Sequence, residues 1–245
     1  MTRLAYTARR MQWLRSLFFT TFLFLSTFVY AFVVIAAFWL PYRGRYAIAR
    51  HWARVQLGAA RVICGLGYTV EGLENIPAGG HISMWKHSSA WETMAQMVVF
   101  PPQAWVLKRE IMWIPVIGWA TWLMDPIAID RGAGHNAVRE VVSQGRRRLE
   151  QGRWVLVFPE GTRVAPGQTR KYGISGAVLA SESGRKIVPV AHDAGVYWGR
   201  RGLLKRRGTI RVVIGPPIET EGRDARALID ATRGWIEAKV TELGA

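Results

Sequence analysis

The sequence is poor in cysteine and in acidic residues. One cysteine, Cys64, occurs in 245 residues, which excludes an internal disulfide and a cysteine-based zinc site. Asp and Glu number 17 against 33 Lys and Arg, so the formal net charge is +16 at pH 7. A chain this basic attracts anionic partners such as nucleic acid, anionic membranes or acidic proteins. The length favours one domain with a substantial core.

Signatures of several other function classes are missing as well. The chain has neither zinc-finger spacing nor an RNA-recognition signature, so no nucleic-acid docking motif accompanies the positive charge. The glycines at 132 and 134 lack the spacing of a dinucleotide-binding or phosphate-binding loop. No Gly-x-Ser-x-Gly elbow is present, which argues against Ser88 or Ser89 as a nucleophile. No group of His, Cys and carboxylates has metal-ligand spacing. We therefore predict neither a nucleic-acid partner nor a metal.

A long apolar run near the N-terminus is the first positive feature. The stretch from Ser16 to Tyr42 contains no charged side chain, and about 20 apolar residues are enough to cross a bilayer core. Arginines flank the run on both sides. A single span or re-entrant hairpin, an interfacial anchor and a signal peptide are the three alternatives, although the run is long for a signal peptide and no cleavage site follows it directly.

A second apolar cluster, Ile111–Met124, is too short and interrupted to span a membrane. It contains three tryptophans, and tryptophan is enriched at the headgroup level of membranes. Ordinary core packing explains the cluster equally well, so both interpretations stay open.

After the apolar run, strand-like segments alternate with amphipathic helical segments. This alternation predicts an α/β fold with a central mixed, mainly parallel sheet flanked by helices, preceded by an N-terminal membrane-embedded helical segment. We place residues 1–45 in a membrane anchor and residues 46–245 in one domain. The predicted strands are 68–70, 81–84, 104–107, 127–129, 154–158, 187–190 and 209–214, and the predicted helices are 46–63, 89–98, 135–150, 174–183 and 225–243.

A polar patch, Lys86–Glu92, contains a histidine and a carboxylate five positions apart. Neutral imidazole accepts a proton near pH 7, and a carboxylate on its other nitrogen fixes the tautomer and stabilises the cation. On a helix these positions are about 140° apart, so His87 must precede the helix if it is to meet Glu92. Ser89 and Glu92 also have the spacing of a capping box, which explains the glutamate without catalysis.

A second polar patch, Phe158–Arg163, follows a predicted strand, as Lys108 and Arg131 also do. Open α/β sheets bind ligands at the carboxyl ends of their strands. Arginine forks and lysine charges suit phosphate oxygens, so we predict one phosphate cradle made by Lys108, Arg131 and Arg163. The alternative for each is a solvated surface cation, which is common in so basic a chain.

Taken in order, these patches resemble the lysophosphatidic acid acyltransferases of the glycerophospholipid acyltransferase superfamily. The family's His-x4-Asp block corresponds to His87–Glu92, its second block to Ala128–Arg131, its Phe-Pro-Glu-Gly-Thr-Arg block to Phe158–Arg163 and its Val-Pro-Val strand to Ile187–Val190. The resemblance covers roughly Val70 to Pro217. Glu92 departs from the usual Asp; it keeps the role of histidine partner but does not identify the acceptor.

The resemblance implies a membrane-bound enzyme that transfers an acyl chain from acyl-ACP or acyl-CoA to the 2-hydroxyl of 1-acyl-sn-glycerol-3-phosphate, giving phosphatidic acid. No cofactor is implied beyond that thioester co-substrate. It implies residence at the bacterial inner (cytoplasmic) membrane, with the site facing the cytoplasm and with membrane lipid, a lysophospholipid acceptor and the acyl donor as partners.

The resemblance also implies roles for individual residues. His87 would be the base and Glu92 its orienting carboxylate, and a backbone N–H between Ser88 and Ala90 would stabilise the oxyanion. The implied phosphate ligands are Lys108, Arg131 and Arg163, and the implied acceptor-pocket residues are Glu160, Gly161 and Thr162.

Two other functions remain compatible with the sequence. One is acylation of another lysolipid, such as a lyso-ornithine lipid. The other is a non-catalytic basic membrane-binding protein, in which His87 and Glu92 form only a helix cap. Four ordered polar blocks exceed what membrane adhesion requires, which favours an enzyme.

Overall fold

One mixed sheet forms the centre of the computed structural model, which describes residues 3–130, 132 and 134–245. Within these residues seven strands occur in the order β1-β7-β6-β2-β5-β3-β4, and only the β6–β7 pair is antiparallel. The predicted mixed, mainly parallel sheet is confirmed. The strands are β1 (Leu66–Glu71), β2 (Ile82–Trp85), β3 (Gln103–Lys108), β4 (Ile127–Ile129), β5 (Trp154–Val157), β6 (Ile187–His192) and β7 (Gly208–Ile214).

Helices surround the sheet and follow the predicted alternation. They are α1 (Arg3–Ala36), α2 (Tyr42–Cys64), α3 (Glu92–Val99), α4 (Ile117–Trp122), α5 (His135–Glu150), α6 (Ser175–Ser183), α7 (Ala194–Tyr197) and α8 (Ala225–Glu242), with short 3₁₀ helices at Leu73–Asn75 and Arg109–Trp113. The short helices α4 and α7 were not predicted, because an element of one or two turns is too brief to show a helical period.

The central strands are apolar along their whole length because both faces of the sheet are covered. Every residue of β2, β5 and β6 is buried. Alternate residues serve opposite layers: Trp154 and Leu156 pack with α2 and α3, whereas Val155 and Val157 pack with α5, α6 and α8. Parallel strands covered in this way read as continuous hydrophobic runs.

Helix α1 carries the uncharged run and forms an antiparallel hairpin with α2. Hydrogen bonds link Gln12 to the Cys64 carbonyl (3.0 Å), Gln56 to Ser26 (2.8 Å) and Tyr30 to His51 (2.6 Å). In the described part of the chain, one helix, over Arg9–Ala36, is long and apolar enough to cross a membrane. Its outward side chains form a mostly apolar exposed face that includes Leu17, Phe18, Phe24, Leu25, Phe28, Val29 and Phe32.

The inner face of α1 is fastened to the sheet domain. Phe19 is fully buried in the core cluster beside α2 and α3, and Ala31 and Val34 pack near α4 in a second cluster. The predicted boundary between residues 45 and 46 falls inside α2, so the two predicted parts share one continuous helix.

The tryptophans of the second apolar cluster are exposed. Trp113, Trp119 and Trp122 expose 72%, 58% and 66% of their surfaces, so the core interpretation is wrong for all three. Phe38 and Trp39, in the turn after α1, are exposed as well.

We predict that Phe19→Ala lowers the free energy of unfolding by about 3–5 kcal/mol, because it leaves a cavity where a buried ring stood. The matched control is Phe18→Ala, one position away on the same helix and 65% exposed, which we expect to change stability by no more than about 0.5 kcal/mol. Denaturant unfolding in detergent micelles measures both, and equal effects would contradict the buried position of Phe19.

Candidate active site

The two polar patches meet because their strands are neighbours. β2 and β5 pair in parallel, with Met84 opposite Val157, so the residues that follow them leave the sheet at the same edge. The His87 backbone N–H donates to Glu160 Oε2 at 2.6 Å, and the His87 carbonyl accepts from the Val164 N–H at 2.8 Å. Residues far apart in sequence therefore hold the His87 backbone on both sides.

The side chains of His87 and Glu92 are paired, with 2.9 Å between Nδ1 and Oε1. Helix α3 begins at Glu92, so His87 precedes it, as the spacing required. The same Oε1 accepts the N–H groups of Ser88 and Ser89 at 3.0 and 2.8 Å. The Glu92 carboxylate thus binds the imidazole and the backbone that leads into α3, and the Ser89–Glu92 contact is one of the two that a capping box makes.

The electrostatic setting keeps the Glu92 carboxylate charged. Complete burial tends to raise the pKa of Glu92, but the hydrogen bond from His87 and the proximity of His192 outweigh it, so the net pKa lies below its usual value. Because Oε1 accepts from Nδ1, the Nδ1 atom carries the proton and Nε2 is the basic nitrogen. The His87 side chain is 14% exposed, so the imidazole is partly open to solvent.

The second patch forms a tight turn against the imidazole. The Phe158 ring stacks on His87 with 4.1 Å between centroids and 19° between planes. The Gly161 N–H bonds the Phe158 carbonyl at 3.0 Å, and Gly161 has a φ of 68°, a left-handed conformation that favours glycine. The block therefore places an aromatic wall beside the histidine.

Two cavities lie at this edge of the sheet. One, of about 170 Å³, is lined by the ends of β3, β4 and β5 together with Phe158 and Gly161. The other, of about 450 Å³, lies between α1, α3 and residues 198–205, and its lining includes Ala90, Thr93 and Arg163. The candidate base is therefore flanked by residues of both cavities.

The predicted phosphate cradle is only partly described. Arg163 lines the larger cavity and, within the described residues, has no ion pair or hydrogen bond. Lys108 lies at the end of β3, exposed and paired with Glu110 at 2.7 Å. Arg131 lies outside the described residues. The sheet brings Lys108 and Arg163 to one edge, but the structure shows no contact between them.

The three predicted acceptor-pocket residues, Glu160, Gly161 and Thr162, lie in different surroundings. Gly161 lines the smaller cavity, and Thr162 is half-buried in the same turn. Glu160 is buried, with Oε2 on the His87 N–H and Oε1 2.8 Å from Lys86 Nζ. The expected oxyanion donors are also engaged in part, because the Ser88 and Ser89 N–H groups both point to Glu92.

Comparison with known proteins decides the family. Residues 67–193 match the family model described as Acyltransferase. The 1-acyl-sn-glycerol-3-phosphate acyltransferase of Pseudomonas aeruginosa is 41% identical over 208 residues, which cover 83% of this chain and 81% of that protein. The chain belongs to the lysophosphatidic acid acyltransferase family.

More distant relatives agree with this membership. The 1-acyl-sn-glycerol-3-phosphate acyltransferase of Escherichia coli is 29% identical, covering 67% of this chain and 69% of that protein. The crystal structure of the 1-acyl-sn-glycerophosphate acyltransferase from Thermotoga maritima superposes with a TM-score of 0.77 over 95% of each chain, at 20% identity. This acyltransferase therefore has the fold of that structure.

Sequence reasoning missed several groups around the site. Lys86 is buried between Glu160 and Glu237, and Tyr172 donates to Glu237 at 2.8 Å. His192 is buried and its Nε2 donates to the Lys86 carbonyl at 2.9 Å. Lys86 stood beside the histidine in the first patch, but no local pattern identified its distant carboxylate partners.

A buried lysine lies in the wall of the larger cavity of the acyltransferase. Lys205 is 1% exposed, and its Nζ donates to Thr20 Oγ1 at 2.5 Å and to the Leu203 carbonyl at 2.9 Å. Its backbone N–H donates to Ser16 at 3.0 Å, and its carbonyl accepts from Gln12 at 2.5 Å. Three residues of α1, each about one turn from the next, thus form hydrogen bonds with this one lysine: Gln12, Ser16 and Thr20. Burial lowers the pKa of Lys205 to about 8.

The Lys205 shift predicts a pH dependence of stability. The unfolded chain holds the lysine proton up to about pH 10.5, whereas the folded chain releases it near pH 8. Between these values the unfolded state binds more protons, so this lysine makes the free energy of unfolding rise with pH; below pH 8 the full cost of burying the charge is present. We therefore expect the free energy of unfolding of the wild type to rise relative to that of Lys205→Met as the pH increases from about 8 to about 10.5.

Denaturant unfolding of both proteins at matched pH values measures the shift, and subtracting the two curves removes titrations common to both. A difference that stays constant across the window would show that Lys205 titrates in the folded state as it does in the unfolded state.

Proposed function

We propose that this acyltransferase transfers an acyl chain from a thioester to the 2-hydroxyl of 1-acyl-sn-glycerol-3-phosphate and so makes phosphatidic acid. The paired His87 and Glu92, 2.9 Å apart beside two cavities, carry the proposal. Relatives from Pseudomonas aeruginosa and Escherichia coli named for this activity support the choice of acceptor.

In the proposed reaction, His87 Nε2 removes the proton from the acceptor hydroxyl as its oxygen attacks the thioester carbonyl. A C–O bond forms, the C–S bond breaks, and the imidazolium returns its proton to the leaving thiolate. The buried Glu92 carboxylate stabilises the imidazolium and holds its Nδ1 proton. No acyl-enzyme is needed, because the thioester is already activated.

The tight turn and the cations supply the acceptor site in this proposal. Arg163, on the wall of the larger cavity without an internal ion pair in the described residues, is available for a phosphate. Lys108 would exchange Glu110 for the phosphate, and Arg131 completes the cradle on sequence grounds alone. Gly161 and Thr162 shape the pocket. Glu160 does not line it but accepts the His87 backbone N–H and so fixes the position of the base.

The donor in this proposal is the thioester of acyl carrier protein or of coenzyme A. Residues 200–207 contain four exposed arginines next to the larger cavity. A basic segment attracts an acidic carrier protein and the phosphates of coenzyme A alike.

We propose that the enzyme lies on the inner (cytoplasmic) membrane with its site facing the cytoplasm, which the arginines around α1 favour. Both halves of α1 are fastened to the domain, through Phe19 and through Ala31 and Val34. A helix held in this way has no free length of about 20 residues to cross the bilayer. Interfacial insertion of its outer face, together with the exposed tryptophans, fits these contacts better than a span.

Lysolipid acylation is the direct test of the proposed function. The purified enzyme is given a panel of lysolipids, including lysophosphatidic acid and a lyso-ornithine lipid, with labelled acyl donor. We expect lysophosphatidic acid to be converted to phosphatidic acid, and His87→Ala to lose at least about 10³-fold in rate because the base is gone. Consumption of another lysolipid in its place would overturn the choice of acceptor.

Two variants separate the base from a helix cap. His87→Ala must keep its fold by circular dichroism, and full activity there would refute the role of the base. Glu92→Gln keeps a side-chain oxygen for the Ser88 and Ser89 N–H groups but removes the charge, so we expect roughly 10²–10⁴-fold lower kcat. A fully active Glu92→Gln would reduce Glu92 to a cap.

For membrane attachment, we predict that replacing Trp113, Trp119 and Trp122 by serine weakens binding to vesicles, because exposed indoles contact the interface. Leu73→Ser is the control. Leu73 is also exposed, at 53%, but it follows β1, the outermost strand on the side of the sheet away from β3 and β4. Vesicle flotation measures both, and equal binding by the triple variant and wild type would remove the tryptophans from the membrane contact.

A further inference from the structure

A largely buried ionic cluster lies directly behind His87, and three of its members, Lys86, Glu237 and Tyr172, have no part in the chemistry proposed above. Lys86 is 3% exposed, and its Nζ lies 2.8 Å from Glu160 Oε1 and 2.9 Å from Glu237 Oε1. Tyr172 donates its hydroxyl proton to Glu237 Oε1 at 2.8 Å. The cluster joins the end of β2, the turn after β5, the segment before α6 and helix α8.

Stability alone does not account for this cluster. Lys86 and Glu160 are buried and the Glu237 side chain is 18% exposed. Burying such charges carries a large desolvation cost, and apolar residues of similar volume often serve stability as well or better. Burial raises the pKa of Glu160 and of Tyr172, with the Glu237 charge acting in the same direction on both.

The cluster reaches the candidate base through one carboxylate. Glu160 accepts the His87 N–H on Oε2 while Oε1 faces Lys86. The Lys86 backbone is held too, because its N–H donates to the Val190 carbonyl at 2.9 Å and its carbonyl accepts from His192 at 2.9 Å. With the backbone fixed here, Glu92 and Phe158 have only the imidazole ring left to orient.

We propose that Glu237 is a positioning residue for acyl transfer, which acts on His87 through Lys86 and Glu160 and is itself oriented by Tyr172. The inference rests on the proposed role of His87 as base. Glu237 lies on α8, outside the residues 67–193 that match the family model.

The two carboxylates share one lysine, which gives the mechanism. While Glu237 draws Lys86 from one side, Glu160 keeps one oxygen on Lys86 and the other on the His87 N–H. Without the Glu237 charge, Lys86 moves wholly towards Glu160, which turns away from the His87 N–H. The imidazole is then displaced although every residue that contacts substrate is intact.

The test is steady-state kinetics of Glu237→Gln in the full-length enzyme, with lysophosphatidic acid and an acyl thioester. We expect kcat to fall roughly tenfold to a hundredfold, the scale of a displacement of about 1 Å in a catalytic group. The KM values for both substrates should stay unchanged, because Glu237 contacts neither. Tyr172→Phe should lower kcat in the same direction by less.

Glu242→Gln is the matched control, because Glu242 lies on the same helix and pairs at the surface with Lys239. It should keep wild-type kcat and KM. Thermal unfolding and size exclusion on each variant restrict the kinetics to folded protein, and a structural role alone would lower the melting temperature but leave kcat per folded molecule unchanged.

Wild-type kcat in folded Glu237→Gln overturns the proposal, as does an equal loss in Glu242→Gln. If Glu237→Gln does not fold, unchanged kcat in Tyr172→Phe overturns it instead. An active wild type with an inactive His87→Ala separates these outcomes from failure of the proposed function, in which wild type would not acylate the lysolipid or His87→Ala would stay active.

Discussion

The parallel pairing of β2 with β5 is the constraint on which the candidate site depends. Because Met84 lies opposite Val157, the two strands end side by side. The residues that follow them, His87 and Glu160, are therefore within hydrogen-bonding distance of each other. A slip of one residue would turn each side chain of the strand to the opposite face. The apolar residues on both faces of the two strands therefore also secure the position of the proposed base.

Much of the fold was predictable, because most elements carry their period in the sequence. The bounds of α5 and β4 were predicted as observed, since an amphipathic stripe and a short apolar run between turns mark them. The two contacts predicted as alternatives for Glu92 occur together, because one oxygen accepts all three donors. Local spacing identifies each partner but does not show that they share an atom.

What was not predictable depends on contacts between distant parts of the chain. Lys86 and Glu237 lie on separate elements, and each reads locally as an ordinary surface charge, yet the fold buries the lysine. The tryptophans of Ile111–Met124 fitted core and surface equally well. Only the packing of α4 and of the 3₁₀ helix before it shows that they are exposed. The cation at Arg131 lies outside the described residues, so its place in the cradle still rests on sequence alone.

The position of Glu237 on α8 also concerns the order of events during synthesis. Helix α8 follows every strand of the sheet in the chain, whereas α1 precedes them all. The apolar helix therefore leaves the ribosome first, and the carboxylate that completes the cluster behind His87 leaves only after the whole sheet has been made. Under the proposed attachment, α1 is therefore available to the membrane before the proposed base is held in place.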